Sequence, residues 1–174
     1  MRDDRAGFEA MFREHYDAVT RYVVRRLGRT VSPDIVSETF LVAWRRLDDV
    51  PESPLPWLYA TARNLVANEI RRQQCDAALG RRLADRPAAP SADMGELIAE
   101  RLAVTAALQH LSERDREVLR LVQWEGLTVA DAATVMNCTQ SAFKVRLHRA
   151  RRRLAASMSP PPTEPHTTEL GAPS

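Results

Sequence analysis

Cysteine is scarce in this chain: Cys75 and Cys138 are the only two in 174 residues, far apart and in no CxxC arrangement. That excludes the disulfide framework of small secreted domains, and with no histidine at ligand spacing there is no metal site to propose. The expected compartment is therefore a reducing one, the cytoplasm, and an inert thiol is the expectation for each cysteine. Long apolar runs are missing too. None approaches the roughly 18 residues a membrane span needs, and MRDDRAGFEA has no signal-peptide core, so no membrane insertion is expected. The histidines, His15, His110, His148 and His166, stand apart from one another. No Ser/His/Asp, Cys/His or paired-carboxylate pattern accompanies them, so neither an enzyme nor a cofactor is expected. Aromatics make up only 6% of the chain, while Val, Ile, Leu and Ala recur among charges at helical spacing, and the expected fold class is all-α.

What is present divides the chain into two small helical domains joined by a flexible linker. In the first, about 1–75, Phe8, Met11, Phe12, Val19, Tyr22, Val23 and Leu27 mark a helix from about Asp4 to Leu27, with Gly28 placed to end it. Ser32 and Pro33 read as an N-cap and a first-turn proline for a second helix running to about Leu47. Pro51, Pro54 and Pro56 interrupt DDVPESPLP, and a third helix runs from Leu55 or Pro56 to Gln74. The stretch 76–94, rich in Ala with Pro87 and Pro90, reads as the linker. In the second domain, 95–156, helices are expected at Gly95–Leu111, Ser112–Trp124, Thr128–Met136 and Thr139–Ala156. Ser112 with Asp115 and Thr128 with Asp131 resemble capping boxes. The Pro-rich tail 157–174 has almost nothing to bury and is expected to be disordered.

The net charge is only +2, but its distribution is uneven: CTQSAFKVRLHRARRRL, Cys138–Leu154, contains no acid. Placed at 100° steps, Phe143, Leu147, Ala150 and Leu154 form one inward stripe. Ser141, Val145, His148, Arg149 and Arg152 lie opposite, flanked by Lys144 and Arg146. A short helix precedes, and Asn137 in the intervening turn can adopt the left-handed conformation. Helix, tight turn, longer basic helix is a helix-turn-helix, in which early outward residues reach base edges and later arginines meet phosphates. Ser141, Lys144, Val145, His148 and Arg149 are the reading candidates, and Arg151 to Arg153 the positioning ones.

The third helix directs Leu58, Tyr59, Ala62, Leu65, Val66 and Ile70 inward. Outward lie Ala60, Asn64, Ala67, Asn68 and Arg71, with Arg63 and Arg72 at the margins and Trp57 at the start, a face a polynucleotide can approach closely. On the second helix Val36, Phe40, Ala43 and Leu47 face inward, while Leu41 and Val42 stand among Asp34, Glu38 and Arg45 on the other side. That mixture suits a protein partner or a second buried contact within the domain.

These segments, in this order, resemble the extracytoplasmic-function (ECF) sigma factors of the sigma-70 family, over nearly the whole chain up to Ala156. SPDIVSETFLVAWRRL looks like region 2.2, which binds the β′ subunit of RNA polymerase; PWLYATARNLVANEIRRQQ looks like regions 2.3 and 2.4, which open and read the −10 element. LQHLSERDREVLRLVQWEGLTVADAATVMNCTQSAFKVRLHRARRRL looks like regions 4.1 and 4.2, which bind the −35 element. The resemblance implies that Asp34, Glu38, Leu41 and Arg45 face core polymerase, a partner through its β′ and β subunits. Trp57, Arg63, Asn64, Asn68, Arg71 and Arg72 would lie against the single-stranded −10 element, with the loop Asp48 to Pro56 forming a pocket for a flipped base. Ser141, Lys144, Val145, Arg146, His148, Arg149 and Arg152 would face the −35 duplex. It implies promoter recognition and melting, and control by an anti-sigma factor. Asn137 stands where the family commonly has Gly, Thr139-Gln140 replaces a frequent Pro-Val, and Val145 replaces a common Ser. The rival readings are a stand-alone helix-turn-helix regulator, which leaves the first domain without a task, and a membrane-surface adaptor, which the basic helix suits poorly for want of a bulky apolar face.

Overall fold

The computed structural model describes residues 2–29, 32–80 and 106–158, and every regular element among them is helical. Helix α1 (Arg2–Leu27) ends where expected. Gly28, at φ +76°, takes a left-handed conformation that a Cβ would disfavour, and its N–H donates to the Val24 carbonyl at 2.9 Å. The Ser32 hydroxyl donates back to the Gly28 carbonyl, tying the start of α2 (Ser32–Arg45) to the end of α1. A short 3₁₀ turn, Leu47–Asp49, follows α2, so the helix stops earlier than its apolar pattern suggests.

Helix α3 (Pro54–Gly80) differs from expectation at both ends. It begins at Pro54, before the predicted start, because prolines in a first turn cost nothing there: those N–H groups have no partner within the helix. It continues to Gly80, into the stretch expected to be linker. The rest of the linker, the start of the helix expected at Gly95 and the tail beyond Met158 lie outside the described residues.

Helices α1, α2 and α3 pack on one another, burying Met11, Val19, Tyr22 and Val23 with Val36, Phe40 and Ala43 and with Leu58, Tyr59, Ala62 and Val66. Leu65 and Ile70, expected inward, are half-buried. Thr39, fully buried, satisfies its hydroxyl on the Ile35 carbonyl at 2.7 Å.

The second unit has a helical end at 106–109, then α4 (Glu113–Gln123), α5 (Val129–Val135) and α6 (Gln140–Met158). Both expected caps are present. Ser112 Oγ accepts from the Asp115 N–H at 3.1 Å, and Thr128 Oγ1 accepts from the Asp131 N–H at 3.2 Å. The return bond expected of a capping box differs: Asp131 Oδ2 accepts from the Thr128 hydroxyl at 2.7 Å, its short side chain meeting the side chain in place of the backbone. Between α4 and α5, Gly126 has φ +65° and the Leu127 N–H reaches the Leu121 carbonyl. Helix α5 also packs against α3 of the first unit, and one continuous apolar core runs through both units.

Candidate nucleic-acid interface

The basic helix is held by its apolar side. Phe143, Leu147 and Ala150 are buried and Leu154 packs at the margin, in the same core as Val118, Leu121, Ala132 and Val135. Its angle to α5 is set by the turn. Asn137 sits at φ 48°, its N–H donates to the Thr134 carbonyl, and the Cys138 N–H donates to the Ala133 carbonyl, both at 3.0 Å. Thr139 Oγ1 then accepts the Ala142 N–H at 3.2 Å and starts α6. Ser141, Lys144, Val145, His148, Arg149, Arg151 and Arg152 stand exposed on the far side, in the helix-turn-helix arrangement expected.

Two arginines depart from that picture. Arg146 is half-buried, and one of its terminal nitrogens is buried without a hydrogen-bond partner among the described residues, so this flank of the face is partly withdrawn. Arg153, expected to meet phosphate, gives an Nη to Asp115 Oδ2 at 2.5 Å and ties the far end of α6 to the first turn of α4. It still lines, with Arg149, Arg152 and Ala156, a shallow cationic hollow.

On α3, Asn64, Ala67, Asn68 and Arg71 form an exposed strip, with Arg71 donating to Asn68 Oδ1 and to the Ala67 carbonyl. Arg72 is already engaged: it donates to both carboxylate oxygens of Glu69 at 2.8 and 2.9 Å, and Gln73 adds a third bond. Arg72 and Gln73 together hold the Glu69 carboxyl below its usual range. Trp57 is half-buried against the core, with the Arg46 guanidinium 6.0 Å from its ring centroid. Arg46 also pairs with Asp49 at 2.8 Å, which fixes the 3₁₀ turn beneath the proline-rich loop. Arg63 is half-buried and lines a cleft between the two units.

On α2, Asp34, Leu41 and Arg45 are exposed and Glu38 is half-exposed, with Arg45 3.9 Å from Glu38. Val42, expected outward with them, is half-buried. Beside this face runs an aromatic row that helical periodicity alone does not set apart. Phe12, one of the residues whose spacing marks α1, is exposed, as are Tyr16 and Trp44; Phe12 lies 4.7 Å edge-on to Phe40, and Phe8 lies 5.0 Å edge-on to Trp44. The signal was available in Phe8, Phe12 and Tyr16 at four-residue spacing, offset from the Met11, Val19 and Tyr22 stripe. Among the described residues no acidic, His or Cys cluster suits a metal ion, and no helix is long and apolar enough to cross a membrane.

Residues 11–75 match the family described as Sigma-70 region 2, and residues 101–154 match Sigma-70, region 4. The chain is 28% identical to the ECF RNA polymerase sigma factor SigL of Mycobacterium tuberculosis, over 88% of its own length and 89% of that protein. It is 32% identical to the ECF RNA polymerase sigma factor SigC of the same species, over 88% of this chain and 84% of that one. In fold it is similar to the sigma factor RpoE from Bartonella quintana, solved in complex with the anti-sigma factor NepR, at a TM-score of 0.65 and 23% identity over 87% of this chain and 96% of that one. With the region 2 helices, the region 4 helix-turn-helix and these likenesses in agreement, the chain belongs to the ECF sigma factors of the sigma-70 family.

Proposed function

We propose that this sigma factor directs core RNA polymerase to promoters, binding the β′ and β subunits, recognising a −35 duplex and a −10 strand, and helping to melt the DNA. The observation that carries this reading is the division of α6 into a buried Phe143/Leu147/Ala150 stripe and an opposite, exposed cationic face at the end of a helix-turn-helix. In that reading Ser141, Lys144, Val145, His148 and Arg149 read bases, while Arg151 and Arg152 grip phosphates. The α3 strip of Asn64, Asn68 and Arg71, with Trp57 and Arg63 at its edges, meets the unpaired −10 strand, where amides and arginines approach bases that have left the stack. Arg72 joins it by exchanging Glu69 for phosphate.

Asp34, Glu38, Leu41 and Arg45 dock on polymerase, and the neighbouring row of Phe12, Tyr16 and Trp44 extends that apolar surface. An exposed aromatic face of this kind would be protected by a partner when polymerase is absent. An anti-sigma factor fits that role; RpoE, similar in fold, is solved in complex with the anti-sigma factor NepR. The protein then works in the cytoplasm, where polymerase and chromosome are. The two units correspond to 1–75 and 95–156, with the intervening segment linking them. The test is transcription from genomic DNA by purified core polymerase. Added protein should yield a restricted set of start sites, and failure to associate with core would sink the proposal.

A further inference from the structure

Arg153 is set apart from the arginines around it on α6. Arg149, Arg151 and Arg152 are exposed, and none of them pairs with an acid among the described residues. Arg153 turns back, giving an Nη to Asp115 Oδ2 in a charge-assisted bond of 2.5 Å that joins positions 38 residues apart. The two ends of that bond differ in freedom. The Arg153 side chain is 61% exposed, whereas the Asp115 side chain is only 11% exposed. Asp115 does not cap α4, for Ser112 Oγ does so by accepting the Asp115 N–H. Its carboxylate sits in the first turn of α4, where the outward-pointing N–H groups favour negative charge, so it is a fixed post to which α6 is tied.

Helix α6 needs such a post at one end only. Its start is held by the Asn137 turn, the Thr139 cap and the fully buried Phe143. Toward its end the apolar stripe thins: Ala150 is buried, Leu154 is half-buried, and every residue from Ala155 to Met158 is exposed. Arg149 stands about 9 Å and Arg153 about 15 Å beyond Phe143 along the helix axis. A shift of about 2 Å at Arg153 therefore moves Arg149 by about 1 Å, twice the roughly 0.5 Å range over which an N–H and its acceptor stay bonded. Base contacts are lost to such a movement. Contacts from long side chains to phosphate, which carry no sequence information, tolerate it.

The bond also withholds a charge. Arg153 borders the hollow lined by Arg149, Arg152 and Ala156. Released from Asp115, it would join two further guanidinium groups in a place suited to phosphate and blind to sequence.

We infer that Asp115 and Arg153 are positioning residues for the reading of duplex DNA: their bond fixes the lean of α6 on α4, and it converts a phosphate contact common to all sequences into discrimination between them. The inference rests on the reading of α6 as a duplex-recognition helix. Neither residue touches a base in this account.

The test uses the full chain and no polymerase. Duplexes enriched from a random pool by the wild type are compared with an unrelated duplex, for each variant, across a series of salt concentrations. Asp115→Asn should steepen the slope of log K against log salt by about 0.9, so that between 50 and 200 mM salt it loses about threefold more affinity than wild type. Its ratio of affinities for the enriched and unrelated duplexes should fall about tenfold, the worth of one base contact. Arg153→Ala should lose the same discrimination with the wild-type salt slope, and Arg153→Lys, which keeps a donor for Asp115, should recover most of it. Hydrogen exchange at the amides of residues 150–156 should quicken in Asp115→Asn and in Arg153→Ala.

A salt slope lowered by about 0.9 in Arg153→Ala would place Arg153 on phosphate and overturn the inference. Unchanged discrimination in both variants overturns it as well, and unchanged exchange overturns the tie. Should Asp115→Asn lose helicity by circular dichroism, the two Arg153 variants, changed at an exposed position, decide. A wild-type chain that enriches no duplex overturns the role in reading whether or not it associates with core polymerase, so the two proposals fail separately.

Discussion

At the scale of single residues, the same side-chain type takes different tasks according to what already holds it. Arg149 and Arg152 stand exposed on α6, whereas Arg153 is paired with Asp115 and Arg72 with Glu69. In the docked geometry proposed, Arg149→Ala should cost about 1–3 kcal/mol on a cognate −35 duplex and relax the preference at one base pair. Arg152→Ala should weaken all duplexes alike and lower the slope of log K against log salt by about one. Titrating binding at several salt concentrations separates the two, and identical defects would contradict the assignment. Tyrosines give a second prediction. Burial, then the charge of Glu117, pushes the Tyr22 phenol well above its ordinary 10.0, and burial with Glu125 pushes Tyr59 up to about 12. A group whose pKa is raised by folding stabilises the fold fully below its unfolded value and loses that contribution as pH climbs toward the folded one. Melting temperature should therefore fall between pH 10 and about 12, and Tyr22→Phe should flatten part of that fall.

Elements were legible in the sequence wherever their cause is local. Ser112 and Thr128 cap as written, Gly28 ends α1, and Asn137 supplies the left-handed turn. The Phe143/Leu147/Ala150 stripe, hence the reading face opposite it, follows from the 3.6-residue period alone. What failed to show was set by tertiary contact or by a cap misjudged. Pro51, Pro54 and Pro56 read as helix breakers, but a first helical turn accepts proline, so α3 starts at Pro54. Phe12 belongs to the apolar pattern that marks α1 yet stands exposed, because such a pattern does not say how far the neighbouring helices will cover it. Since the turn depends on one backbone conformation, Asn137→Val should destabilise the second unit by about 1–2 kcal/mol, a β-branched residue being strained at positive φ. Asn137→Gly should be tolerated at or above wild-type stability. Thermal melts of the two variants, with duplex binding as the second readout, decide it; equal stability of Val and Gly would show that the turn can relax.

At the scale of the whole molecule, the least legible feature is the contact that unites the two units. Arg26 and Glu117 are 91 residues apart in the chain, and no periodicity, cap or composition links them; each reads alone as an ordinary charged residue on a helix. Their burial makes the contact thermodynamically consequential. Arg26 donates to the carboxylates of both Glu117 and Glu125. Neutralising the carboxylates leaves the Arg26 guanidinium a buried charge with only the Tyr22 carbonyl, the Tyr22 ring and neutral amides beside it, and breaking a buried pair by removing one partner costs on the order of 3–5 kcal/mol. The rest of the contact is apolar, with α5 packed against α3 in the core that both units share. Wild type should accordingly unfold in a single calorimetric transition, because separating the units and unfolding either one are coupled. In the Glu117→Gln/Glu125→Gln variant the endotherm should split in two, the α1–α3 unit and the α4–α6 unit melting at their own temperatures. A variant that retains one sharp transition would mean that the continuous apolar core, rather than the buried charges, holds the molecule together.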